Sequence, residues 1–309
     1  MTTTDPVIPT GPIHHLTGHG YEAEVVAVGA GLRALRHLDR ELLVSWPREV
    51  ARPMGRGAVL APWPNRIADG RYRWNDADHQ LALTEPDRAN AIHGLIQWVR
   101  FEVAEESADL LRFSTQVVPQ PGYPWPLELT VEYRLTESGL TWSVIAGNPG
   151  DQVVPFGVAP HPYLVAPGSL DDWTVSVPAD TVLEVTEDRL LPVGTRPVEG
   201  TELDLRRPTV LGDRRIDHAY TDLISTDEFA SVSVQDADGI GARMRWSTAQ
   251  CPWVQIHTAD RPEPENDRVG LAVEPMTCPP DAFGTGTDVI ALQPGAQHRV
   301  DWELSAIGG

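Results

Sequence analysis

Leu127-Glu-Leu-Thr-Val-Glu-Tyr-Arg-Leu135 alternates apolar with charged or polar residues without a break. Leu127, Leu129, Val131, Tyr133 and Leu135 therefore share one face of an extended chain, the pattern of a half-buried strand. The same period returns in Leu140-Thr-Trp-Ser-Val-Ile-Ala146, Trp173-Thr-Val-Ser-Val177, Ala230-Ser-Val-Ser-Val234 and Val300-Asp-Trp-Glu-Leu304, with clusters of Gly, Pro, Asp and Asn between them. No long stripe of period 3.6 interrupts these segments. Many short strands with turn signals predict an all-β chain, a large antiparallel β-sandwich or barrel. The 28 prolines suit it, since loops and edge strands tolerate proline and helix interiors do not.

A chain of 309 residues with 41% hydrophobic content can bury a large core, and with no linker, repeat or low-complexity tract it reads as one domain over residues 1–309. Ala259 to Asp267 reads as an exposed loop within it. Gly29-Ala-Gly-Leu-Arg-Ala34 follows the strand-like Ala23–Val28 and imitates a dinucleotide-binding fingerprint, with Glu49 at about the distance of a ribose-binding acid. Because that fold needs further strand-helix-strand units, Gly29 and Gly31 are read as a hairpin or bulge.

Composition removes several classes of function. Lys+Arg of 24 against Asp+Glu of 44 gives a formal charge of -20, which repels phosphate backbones and anionic membrane surfaces, so neither nucleic acid nor membrane is expected as a partner. The chain contains no lysine, so it can neither form a Schiff base nor complete a phosphate-binding G-x-x-x-x-G-K-[ST] loop. Cys251 and Cys278 lack C-x-x-C spacing and read as buried small hydrophobes. Met1 to Pro12 has neither the basic start nor the apolar run of a signal peptide, and no stretch approaches a membrane span, so a cytoplasmic protein is expected.

The candidate functional residues sit in turns and at strand ends. Pro62-Trp-Pro-Asn-Arg66 holds Arg66 in a proline-flanked turn, where its planar fork can donate to hydroxyls or a carboxylate; Arg71 and Arg73 alternate along the next strand as solvated charges. Asn90-Ala-Ile-His-Gly94 and Pro160-His-Pro-Tyr163 each place a histidine, His93 and His161, in a sharp turn from which an imidazole can enter a cavity. Glu274 ends the apolar run Val269-Gly-Leu-Ala-Val273, where desolvation should raise its pKa toward that of a usable base; a structural acid paired with arginine would look the same. Asp217 lies in Arg215-Ile-Asp-His-Ala-Tyr220 and alone would read as a turn residue.

Taken together, Pro64-Asn-Arg-Ile67, Ala91-Ile-His-Gly94, Gly122-Tyr-Pro124, Pro160-His-Pro-Tyr163, Ile216-Asp-His-Ala-Tyr220 and Ala272-Val-Glu-Pro-Met276 resemble, in order, the aldose 1-epimerase (galactose mutarotase) family, in particular a bacterial branch carrying Glu-Pro-Met-Thr-Cys-Pro-Pro-Asp-Ala-Phe, here residues 274–283. The resemblance spans the chain. It implies a β-supersandwich with an open sugar cleft, a small-molecule sugar substrate, no metal or organic cofactor, and a monomer or homodimer. By residue it implies Glu274 as general base and His161 as general acid, with Arg66, His93 and Asp217 holding the sugar. Trp98, Trp125 and Trp253 are candidates for an apolar platform under it, or for the core. One departure is visible: many galactose mutarotases carry Asn before and Ser after the second histidine, whereas Ala159, Pro160 and Pro162 surround His161 here. Galactose as preferred substrate does not follow, and Arg52, Arg56 and Arg100 leave room for a C6 phosphate or sulfonate.

Interconverting anomers moves one proton off O1 and another onto O5, which is work for one carboxylate and one imidazole. Ionised Glu274 facing His161 is expected to stabilise the imidazolium and raise its pKa. Three other readings remain at this point: a non-catalytic sugar-binding protein, a glycosidase pairing Glu274 with Asp217, and a zinc hydrolase using His93, His161 and Glu274.

Overall fold

The computed structural model describes residues 8–308; Met1–Val7, the start of the segment read as carrying no leader, lie outside the described residues. The deciding stretch is a strand, Leu127–Thr136, hairpinned to Gly139–Gly147 with Val131 opposite Val144 and Tyr133 opposite Trp142. All five alternating residues are buried, as the period-2 pattern requires. Gln297–Ile307 joins the other edge of that hairpin and sets Trp302 beside Trp142, and further strands extend the sheet to nine, all antiparallel. Its apolar face supplies much of a buried cluster running from Leu16 to Leu304.

Two further large sheets complete the layers, alongside four two-stranded ones. An N-terminal sheet takes Ile13–Gly18, Tyr21–Val26, Gly31–His37 and Arg40–Glu41 in chain order, so Gly29 lies in a hairpin turn, with φ of +71°. The dinucleotide imitation ends there: no strand-helix-strand unit follows, and Glu49 lies on an exposed turn. The six-stranded sheet that carries the cleft runs in spatial order Tyr163–Leu164, Leu271–Met276, Trp253–His257, Asp217–Leu223, Ala179–Val185 and Pro192–Pro197. Among the described residues the one α-helix is the four-residue turn Ala282–Thr285, and no helix is long and apolar enough to cross a membrane.

Arg71 and Arg73 project outward with Gln80 and Asp78 as partners, and Cys251 and Cys278 are buried free thiols. Ala259 to Asp267 is the expected loop and is exposed from Arg261 to Glu265 and at Asp267, with its first residues anchored. Ala259 is fully buried against Tyr163 and Ala272, and Asp260 and Arg261 turn into the cleft, because the loop is tied back by Arg268, which donates to Asp260 and to the carbonyls of Gly212 and Arg214.

Candidate active site

The cleft floor follows from register. Gln255 pairs with Glu274, His257 with Ala272, Asp217 with His257, and Ala219 with Gln255. Because paired and alternate residues share a face, Asp217, Gln255, His257 and Glu274 all point one way, and the small Ala219 and Ala272 between them leave that face open. Gln255 donates from Nε2 to Asp217 Oδ1 at 2.7 Å, and His257 Nδ1 lies 3.8 Å from the same oxygen.

The opposite side comes from short strands and turns. His161 ends the strand Ala159–His161, which pairs with Ala58–Leu60, so it is held by a ladder and not by the sharp turn its flanking prolines suggested. Its ring stacks on Tyr163, with centroids 5.2 Å apart at 18°, and meets His93 edge-on at 5.3 Å. His93 does sit in a turn. It adopts φ of +63°, a left-handed conformation uncommon for histidine, fixed by its amide donating to the Asn65 carbonyl and by Gly94, where a Cβ would fall 2.0 Å from the Ala61 carbonyl oxygen.

Arg66 begins the strand Arg66–Ala68 and is gripped by Glu85 through two bonds, Nε to Oε2 at 2.9 Å and Nη2 to Oε1 at 3.0 Å. Fully buried Asn90 donates to Glu85 Oε2, and Arg189, from the loop after Ala179–Val185, donates to Asn90 Oδ1 and to the carbonyls of Arg88 and Ala89. This chain ties one cleft wall to the other. Burial opposes charge on Glu85, yet the bonds from Arg66 and Asn90 hold its carboxyl below the usual range.

Glu274 and His161 form the centre. Nε2 of His161 lies 3.3 Å from Oε1 of Glu274, with side-chain exposures of 6% and 3%. Burial, reinforced by Asp217, raises the Glu274 carboxyl well above its ordinary value. Burial also lowers His161 well below 6.5, helped by His93 and His257, and this overturns the expectation that Glu274 would hold His161 charged: the cost of an imidazolium in this dry, histidine-rich site exceeds the attraction of a carboxyl that is itself driven toward neutrality. His93 is pulled down to about 3 by burial and by Arg66, so it is neutral at ordinary pH.

All five implied polar residues therefore converge on one cleft of about 1260 Å³, which Trp98 also lines. Trp125 and Trp253 do not reach it; the first packs on Tyr123 and His79 in the core, and the second spends its indole N–H on Asp288. Nor do Arg52, Arg56 and Arg100 line the cleft, where Arg88, Arg215 and Arg261 do. Residues that the sequence reading passed over also contribute: Glu85, Tyr163, His218, Gln255 and His257. The available signal for two of them was Val254-Gln-Ile-His257, where polar residues alternate with apolar ones on a strand buried on both faces.

Several buried polar atoms of the residues that line this cleft have no protein partner: Nδ1 of His93, Nδ1 of His161, Oε1 of Gln255, both ring nitrogens of His257, and Oε2 of Glu274. Buried polar groups are nearly always hydrogen-bonded, so so dense a set of orphans marks the place of a ligand rich in donors and acceptors. Among the described residues no three His, Cys, Asp or Glu side chains are grouped as metal ligands.

The comparisons agree with this fold. The family model described as aldose 1-epimerase matches residues 12–305. The chain is 32% identical to the protein YihR of Escherichia coli K12 over 300 residues, covering 96% of this chain and 93% of that one. It is 31% identical to the galactose mutarotase of Homo sapiens over 167 residues, which is 50% of this chain and 46% of the human protein, so it spans about half the length of that relative. Among solved structures, the GalM/aldose epimerase homologue from C. elegans superposes with a TM-score of 0.82 at 16% identity, over 96% and 99% of the two chains. The galactose 1-epimerase from Lactobacillus acidophilus NCFM gives 0.78 at 18% identity, over 95% of each chain. With the predicted antiparallel supersandwich, the ordered motifs and a family match along nearly its whole length, this chain belongs to the aldose 1-epimerase family.

Proposed function

We propose that the protein is a mutarotase that interconverts the α and β anomers of a free aldose. The observation that carries this reading is the direct 3.3 Å contact between His161 and Glu274 beneath a polar cleft. O1 and O5 of an aldopyranose are bonded to the same carbon, so a base for one and an acid for the other must be immediate neighbours. Glu274 takes the proton from the O1 hydroxyl, the C1–O5 bond breaks as C1=O1 forms, and O5 receives a proton from His161. Rotation about C1–C2 presents the other carbonyl face, and closure returns both protons by the reverse transfers.

The pair needs one proton between its members, and burial keeps that count. Raising Glu274 and lowering His161 favours a protonated carboxyl beside a neutral imidazole, which differs from the reactive carboxylate and imidazolium by one transfer across the contact. His93, neutral and next to Arg66, can donate or accept a hydrogen bond at the sugar but is a poor proton source. Arg66, Asp217, Gln255 and His257 supply the remaining donors and acceptors for hydroxyls.

The test is anomer exchange, by polarimetry or exchange NMR, on freshly dissolved α-glucose, α-galactose and glucose 6-phosphate. Acceleration over buffer that disappears in Glu274→Gln and His161→Asn supports the reading, and the panel ranks neutral against C6-anionic sugars. No acceleration of any of them overturns it. Sugar binding with rates indifferent to both substitutions makes the protein a sugar-binding member of the fold.

A further inference from the structure

We propose that Tyr163 is a positioning residue for His161, its ring and its hydroxyl together fixing the imidazole in the orientation at which Nε2 meets Glu274; this rests on the mutarotase reading above. An imidazole that passes a proton from one nitrogen is ordinarily aimed by a hydrogen bond at the other. His161 has none. Its Nδ1 is buried without a protein partner, and Ala159, Pro160 and Pro162 around it have no side chain that could supply one. The backbone holds only the base of the side chain, through the ladder of Ala159–His161 and the Gly57 amide, which donates to the His161 carbonyl at 2.8 Å. The rotation of the ring is therefore set by contact.

Tyr163 supplies that contact in two ways. Its ring covers one face of the imidazole, 18° from parallel with centroids 5.2 Å apart. Its hydroxyl donates to the Met54 carbonyl at 3.2 Å. Met54 and Gly55 form a turn with φ of +49° and +70°, and this turn closes the imidazole edge that carries Nε2: a Cβ on Gly55 would fall 3.3 Å from Cδ2 and 3.5 Å from Nε2. A left-handed methionine is strained, and the tyrosine hydroxyl is a bond that holds it so. Tyr163 is also tied to the base. It pairs with Ala272, two residues before Glu274, and the Val273 amide donates to the Pro162 carbonyl at 3.1 Å. The side chain that aims the acid is thus fastened to the strand that carries the carboxylate.

Two other roles for Tyr163 fit these observations less well. Its hydroxyl is spent on Met54, and burial, with the Glu274 carboxyl, pushes the phenol further from ionisation, so it is a poor proton carrier. Although it lines the cleft, Tyr163 is only 2% exposed, which leaves little of the ring for a sugar to cover. Orientation is what remains. Proton transfer across the 3.3 Å contact depends on direction as well as distance, and a displacement of about 1 Å can cost roughly 100-fold in rate.

Anomer-exchange kinetics of wild type, Tyr163→Phe, Tyr163→Leu and Gly55→Ala test this, together with NMR titration of the His161 ring in histidine-labelled protein, assigned by its loss in His161→Asn. Tyr163→Leu removes the stacked face and the tie to Met54, and kcat should fall roughly 10- to 100-fold with KM changed much less. Tyr163→Phe keeps the face and should recover most of kcat. The titratable groups that act on His161, namely His93, His257, Asp217 and its partner Glu274, remain in each variant, so the His161 midpoint reports how tightly its ring is enclosed. It should rise toward 6.5 in Tyr163→Leu and stay low in Tyr163→Phe. A raised KM with unchanged kcat makes Tyr163 a sugar contact and overturns the proposal. So does a loss in Tyr163→Phe equal to that in Tyr163→Leu, or a Tyr163→Leu variant with kcat and midpoint unmoved. If Tyr163→Leu does not fold, Gly55→Ala, which sets a methyl against the Cδ2–Nε2 edge, carries the test: a lower kcat supports the proposal and an unchanged one overturns it. If wild type accelerates no sugar, the mutarotase reading fails on its own, and the midpoints decide whether Tyr163 holds the ring: a rise in Tyr163→Leu alone supports it, and no rise overturns it.

Discussion

His161 Nε2 and Glu274 Oε1 lie 3.3 Å apart with almost no solvent access to either, so they titrate as a pair. The pair gains its second proton at the His161 value, lowered by burial, and loses its last at the Glu274 value, raised by burial. The one-proton window therefore has its acid limb below the ordinary histidine pKa of about 6.5 and its alkaline limb above the ordinary glutamate pKa of about 4.3. In kcat/KM profiles, His161→Gln should lose most of the rate and its alkaline limb, because Glu274 alone needs only to be ionised. Residual activity in Glu274→Gln should fall with rising pH. His93→Gln should weaken binding and keep both limbs; if it loses the alkaline limb and His161→Gln retains it, the two histidines exchange roles.

The same burial makes Glu274 a cost to folding. Its folded pKa lies above its unfolded value near 4.3, so stability declines as pH rises through that value toward the raised one and then levels off. Glu274→Gln removes this decline. The inactive variant should melt higher than wild type at pH 8, with the difference shrinking at pH 4; an equal offset at both would contradict the assignment of a raised carboxyl.

Arg66 depends on Glu85 for its aim. Glu85→Gln leaves a nearly buried guanidinium without its carboxylate and breaks a two-bond fork, a change of the kind that costs about 3–5 kcal/mol in fully buried pairs and less at this partly exposed one. KM should rise roughly tenfold, about 1.4 kcal/mol, with a smaller effect on kcat, since the proposed function puts Arg66 at the sugar hydroxyls and the proton transfers at His161 and Glu274. Asn90→Ala, one bond further out, should shift KM the same way by less.

Tyr133 fastens the N-terminal sheet to the nine-stranded one, its hydroxyl donating to the Ala30 carbonyl at 2.7 Å in a fully buried setting. Tyr133→Phe strands that carbonyl and should cost about 1–2 kcal/mol, seen as a lower urea midpoint with an unchanged m-value. Because Ala30 lies between Gly29 and Gly31, against which the Arg52 guanidinium packs 5.9 Å from the Trp98 ring, the variant should also loosen Arg52 and Trp98, with a detectable change in tryptophan fluorescence.

The strands were legible in the sequence because a period of two is a local property: Leu127 to Leu135 shows its buried face without knowledge of any partner. Gly94 and His93 were legible for a similar reason, since a tight turn leaves its mark in the residues that form it. Glu274 stood out as a carboxylate ending an apolar run, and the ordered motifs joined it to His161, Arg66, His93 and Asp217 by resemblance. What no local pattern could carry is cross-strand register and layer packing. Gln255 and His257 became cleft residues only when their strand was laid between those of Asp217 and Glu274, and Glu85 only when its loop folded onto Arg66. The sign of the His161 shift was decided there too: sequence supplied its acidic neighbour, but desolvation is a sum over everything packed around the ring, and that sum exists only in the folded molecule.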